Sequence, residues 1–88
     1  MKIKEGFVRR SIGGSDVVVA VGKASVGFNA MINLNSTGSL IWSHLENGAS
    51  EEDIVSAMLE KYDITKDVAE RDVRAFLDKA RDAGVIEE

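Results

Sequence analysis

Cysteine and proline are both absent from this sequence. Without cysteine the chain has no disulfide, no thiolate metal site and no thiol nucleophile. Its core must carry the stability unaided, the usual condition of cytosolic chains. Histidine occurs once, as His44, and aromatic residues make up only 6%. Long apolar runs are missing too. The longest, Val17 to Val21, is far short of the roughly 20 residues that span a bilayer. Met1 to Gly6 is charged and has no apolar stretch of the kind that starts a signal peptide. The expectation is therefore a cytoplasmic chain with no membrane contact. At 88 residues it has the length of one small domain, expected over 1–88, with one modest core and little interior for a deep catalytic pocket.

What is present is ordinary for a folded domain: 44% hydrophobic and 30% charged residues, so disorder is not expected. The net charge of −4 is unevenly spread. Residues 1–44 carry five basic and two acidic side chains, whereas residues 45–88 carry six basic and thirteen acidic. A solvated helical surface accounts for most such asymmetry, and a charge-patterned partner for the rest.

Two β-branched runs, Phe7 to Ile12 and Val17 to Val21, flank Gly13-Gly14-Ser15-Asp16 and read as a hairpin. After a loop over Gly22 to Gly27, the stretch Phe28-Asn29-Ala30-Met31-Ile32-Asn33-Leu34 alternates large apolar with small or polar residues, broken only at Met31-Ile32, and is expected as a third strand. From Asn35 the period becomes helical. Asn35 or Ser36 can cap a first helix carrying Leu40, Ile41, Trp42 and Leu45, and Asn47-Gly48 ends it. Ser50-Glu51-Glu52-Asp53 opens a second helix with Ile54, Val55, Met58, Leu59 and Tyr62 at helical spacing. Thr65 or Asp67 can start a third, with a core stripe at Ala69, Val73, Phe76 and Ala80, flanked by Val68 and Leu77 and stopped at Ala83-Gly84. Val85-Ile86 is a short apolar tail. The order β-β-β-α-α-α is an α+β domain.

Little of this assembles chemistry. His44 reads as a surface helix residue, and the acids at 51–53 as a helix start, since contiguous carboxylates on one turn point in different directions. The glycines match no phosphate-loop spacing. No nucleophile, base and oxyanion site come together, so no enzyme is expected and no cofactor. A helix-turn-helix reader of DNA would show a basic stripe on its last helix. The third helix instead balances five bases against five acids between Lys66 and Asp82. No hairpin wing follows it, so nucleic acid is an ill-supported partner. A three-stranded sheet, however, has two edges. The run Phe28 to Leu34 carries neither charge nor proline to protect it. At an edge, it could accept a peptide as a fourth strand; alternatively it is central, or covered by the chain's own tail.

Three stretches carry a family resemblance. Leu34-Asn35-Ser36-Thr37-Gly38-Ser39-Leu40-Ile41-Trp42 is similar to the Leu-Asn-x-Thr-Gly-x-x-Ile-Trp segment of the PqqD-like family. Gly48 to Val55 followed by Tyr62, and Asp72 to Leu77 followed by Gly84-Val85-Ile86, continue it in order. The resemblance implies a winged-helix-like fold, with a three-stranded antiparallel N-terminal sheet followed by a three-helix bundle. It also implies a non-catalytic recognition element for ribosomally made, post-translationally modified peptides. Such an element holds the precursor's leader peptide as an added strand between the third strand and third helix. It presents the precursor to a modifying enzyme, often a radical S-adenosylmethionine enzyme. Carried over to this chain, the strand side of the cleft is Phe28, Asn29, Ala30, Met31, Ile32, Asn33 and Leu34. The helix side is the row Val68, Asp72, Ala75 and Lys79 with Phe76 at its border, in competition with the flank Glu70, Arg74, Leu77 and Arg81. Gly38 and Trp42 are expected to serve packing. An open edge also allows self-pairing, so monomer and edge-paired dimer are both expected states. The competing readings are a small winged-helix DNA-binding protein and an adaptor that uses the same groove for another protein.

Overall fold

A computed structural model describes residues 1–26 and 31–88. The elements among them are strands β1 (Lys2–Ile3), β2 (Phe7–Ile12) and β3 (Ser15–Ala20), a short 3-10 turn (Gly22–Ser25), strand β4 (Ile32–Leu34), helices α1 (Ser36–Glu46), α2 (Glu51–Lys61) and α3 (Lys66–Ala83), and strand β5 (Ile86–Glu87). The expected α+β order is borne out, with a three-stranded antiparallel sheet β2-β3-β4 ahead of three helices. Two short strands add to it. β1 and β5 pair antiparallel as a separate ribbon, Lys2 opposite Glu87 and Ile3 opposite Ile86. The apolar tail thus closes on the N-terminus and does not cover β4.

Local chemistry sets the boundaries. Gly13 and Gly14 both have positive φ, 59° and 83°, the mirror-image turn that suits the right-handed twist of flanking strands. The turn is therefore two residues long, and β3 starts at Ser15. Asn35 caps α1, its side chain accepting from the Gly38 amide at 2.8 Å. Ser50 and Asp53 close a reciprocal capping box at the start of α2, and Thr65 caps α3. Gly84 ends α3 at φ 77°, a left-handed position that glycine takes without a Cβ penalty.

The core lies between the helix-facing side of the sheet and the three helices. Val18, Leu34, Ile41, Trp42, Leu45, Ile54, Met58, Val73 and Leu77 are buried in one cluster with Val85 and Ile86. On α3 the buried set is Ala69, Val73, Leu77 and Ala80. Leu77, expected on a flank, takes the core place assigned to Phe76, which is only partly buried. Both spacings, i+7 and i+8, return near the same helical face. The packing of α3 against α2 and α1 decides between them.

Candidate functional site

β4 is an edge. The sheet order β2-β3-β4 leaves its far side without a neighbouring strand, and no described backbone group bonds to Asn33 from that side. Which of its groups face outward follows from the register. Val21 N–H donates to the Gly6 carbonyl at 2.7 Å, one step beyond the Phe7–Ala20 pair, so Gly6 and Val21 form a hydrogen-bonding pair. Antiparallel pairs alternate in type. Val8–Val19, Arg10–Val17 and Ile12–Ser15 are then of the same type, as a two-residue turn also demands. Asp16 and Val18 consequently turn their N–H and C=O toward β4, where they face Leu34 and Ile32. Asn33 lies between these two and opposite Val17, so its N–H and C=O point away from the sheet.

Beside this edge runs an open cleft of about 580 Å³. β4 supplies Ile32, Asn33 and Leu34; α1 and its cap supply Asn35, Gly38 and Trp42; α3 supplies Phe76, Lys79, Ala80 and Ala83. Ser15, Asp16 and Val85 complete it. Gly38 explains how α3 comes so near: a Cβ there would lie 3.3 Å from the Phe76 ring and 3.1 Å from the Asn35 Oδ1 that caps the helix. Trp42 is 1% exposed, as the packing role predicts. Its ring also forms part of the cleft lining, and its Nε1 has no hydrogen-bond partner among the described residues.

Of the strand residues expected at the site, Ile32, Asn33 and Leu34 line the cleft. Met31 sits one residue ahead of β4 and is exposed, where the alternation breaks in sequence. Phe28, Asn29 and Ala30 lie outside the described residues. Of the helix residues, Phe76 and Lys79 line the cleft, whereas Val68, Asp72 and Ala75 do not. Lining shifts toward the C-terminal half of α3, adding Ala80 and Ala83, because that half packs beside Gly38 and β5's approach. Asp72, one turn before Phe76 on the same face, prolongs the row beyond the cleft. The competing flank is otherwise engaged. Leu77 is in the core, Arg74 bonds Glu51 at 3.0 Å, and Arg81 pairs with Asp78 and Glu88. With Arg71 beside Asp72 at 3.7 Å as well, each α3 arginine contacts a carboxylate, which leaves little free positive charge for phosphates.

A polar joint fixes the hairpin against α1, next to the cleft. Arg9 Nη1 donates to the Ser39 carbonyl at 3.0 Å and to Ser43 Oγ at 2.7 Å. Asp16 accepts from Ser39 Oγ at 2.7 Å and from Ser11 Oγ at 2.9 Å. The Ser39 bond first, then the Ser11 bond, and finally the Arg9 charge hold the Asp16 carboxyl below its ordinary range. Sequence reading missed this joint because its halves lie far apart in the chain and each residue type is common on a surface.

Comparison with known proteins gives a consistent picture. The family model described as coenzyme PQQ synthesis protein D matches residues 16–86. No curated protein sequence matches the chain. Among solved structures, TbiB1 in complex with the TbiA(beta) leader peptide is similar at 31% identity, with 99% of this chain and 95% of that chain covered and a TM-score of 0.80. A lasso peptide synthetase B1 complexed with its leader peptide is similar in fold, at 20% identity, 99% and 96% coverage and a TM-score of 0.80.

Proposed function

The chain belongs to the PqqD family, and on that footing we propose that it is a recognition element that binds the leader of a ribosomally synthesised precursor peptide by strand addition at β4. The observation that carries this reading is the outward N–H and C=O of Asn33 on an uncovered edge, directly beside an apolar-floored cleft. A leader strand laid against β4 exchanges two hydrogen bonds with Asn33 and turns alternate side chains toward α3. Two backbone bonds contribute only about 1–3 kcal/mol net. Apolar leader side chains seated on Leu34, Phe76 and Ala83 must supply the larger share and the selectivity. The structure of TbiB1, similar over nearly the whole chain, holds a leader peptide and supports the reading.

In this role the protein does no chemistry of its own. It presents the precursor to a separate modifying enzyme, for which a radical S-adenosylmethionine enzyme is one candidate. The test is a fluorescence-anisotropy titration with the leader half of the small peptide encoded nearest to this gene. Saturable binding that Asn33→Pro weakens by about tenfold or more supports strand addition; binding indifferent to Asn33→Pro contradicts it. Duplex DNA is the control. A salt-sensitive affinity for an unrelated duplex, with none for the leader, would return the winged-helix DNA reading.

A further inference from the structure

The cleft is lined by two charged side chains, Asp16 and Lys79, and they are not equivalent. Asp16 is already satisfied by two hydroxyl donors and the Arg9 charge nearby. Lys79 is exposed and makes no ion pair among the described residues, on a helix where Arg71, Arg74 and Arg81 all do. It is the one unpaired charge on the α3 wall of the cleft among the described residues.

Resting on the strand-addition reading, we propose that Lys79 is a specificity-determining residue that selects leaders carrying an acidic side chain on their cleft-facing side. A strand added to β4 places every second side chain toward α3. Seating the peptide strips water from the cleft side of the Lys79 ammonium, which favours a carboxylate opposite it and disfavours a second cation. Asp16 acts in the opposite sense at the Leu34 end, since it stands opposite Leu34 in the register. An acid placed beside Asp16 is repelled. The two charges together therefore fix which cleft-facing position of the leader carries the acid, and add charge selectivity to an otherwise apolar recognition surface.

The test uses random peptides, so the precursor need not be identified first. A displayed library is panned against the full chain and against Lys79→Gln, Lys79→Glu and, as a background, Asn33→Pro. Lys79 and Asn33 are both exposed, so folding is spared. The wild type is expected to enrich Asp or Glu at one position, an even number of residues from an apolar one. Lys79→Gln loses that bias, and Lys79→Glu converts it to Lys or Arg. For an enriched acidic peptide, Lys79→Gln raises Kd by about two- to fivefold, the scale of a partly exposed pair, and salt reduces the difference. Enrichment without an acidic bias, or the same bias in Lys79→Glu, overturns the role of Lys79 and leaves strand addition standing. No enrichment above the Asn33→Pro background overturns both.

Discussion

At Asn33 a single residue carries both outward backbone groups of β4, so substitutions there and next to it separate binding from folding. Asn33→Pro removes an N–H that faces solvent in the free protein. Its expected effect is a stability change within about 1 kcal/mol but a loss of leader affinity of about tenfold or more, read by denaturant melts and anisotropy. Ile32→Pro does the reverse. It removes an inward bond to Val18, and the unsatisfied group left behind costs about 1–3 kcal/mol of stability. The sequence alternation alone offers Ala30 or Ile32, whichever has its amide facing outward, for such a proline. The register turns the Ile32 amide inward and the Asn33 amide outward, and Ala30 lies outside the described residues. Such parity is illegible in sequence, because it depends on which pair closes the hairpin, and a turn of two residues or four fits the same Gly-Gly-Ser-Asp. Asp16 gives a second residue-scale prediction. Its folded pKa lies below the ordinary 3.8, so its contribution to stability is complete above that value. It is lost as pH falls through the lower, folded pKa. In Asp16→Asn, urea melts from pH 6 to about pH 2 are expected to show a shallower acid decline than the wild type; an unchanged decline contradicts the joint with Ser39 and Ser11.

At the scale of elements, the helix caps are the most legible part of the sequence. Asn35, Ser50, Thr65 and Gly84 each sit where a helix needs a side-chain acceptor or a left-handed residue. Gly84→Ala tests this cleanly. An added Cβ would meet nothing within 4 Å, so the whole penalty is conformational, about 1–2 kcal/mol, measurable in a thermal melt. Helix faces were less legible. Phe76 and Leu77 both suit an apolar stripe, and only the close approach of α3 to Gly38 puts Phe76 on the cleft and Leu77 in the core. Strands of two residues have no period, so the β1–β5 ribbon left no trace in the pattern of Lys2-Ile3 or Ile86-Glu87. That ribbon nevertheless bears on the site, because it occupies the tail that could otherwise have covered β4.

For the molecule as a whole, the described part of the edge, Ile32–Leu34, sets what self-pairing through it can contribute. β4 pairing with a second copy through Asn33 offers two hydrogen bonds, about 1–3 kcal/mol net. Association costs at least about 4 kcal/mol in lost freedom before any contact is made. A leader offsets that cost by filling the cleft with its side chains. Sedimentation is therefore expected to show a monomer near 9.5 kDa; a stable dimer dissociated by leader peptide would mean that the edge extends beyond Ile32–Leu34. Local pairs, Arg74 with Glu51 and Arg81 with Glu88, leave the acidic excess of residues 45–88 in place. Lys79 is the cation that this pairing leaves over at the cleft among the described residues.

Strand addition at β4 is tested most directly by following backbone amides of the isotope-labelled protein through a titration with the leader half of the nearest encoded small peptide. Ile32 and Leu34 amides are expected to be protected before and after, since both face β3 in the register. The Asn33 amide is expected to exchange freely with water in the free protein and to become protected at saturation, with accompanying shifts at Phe76, Lys79 and Ala83. Saturable binding that leaves Asn33 exchanging freely, with its shifts confined to another surface, would contradict strand addition while leaving the fold as described.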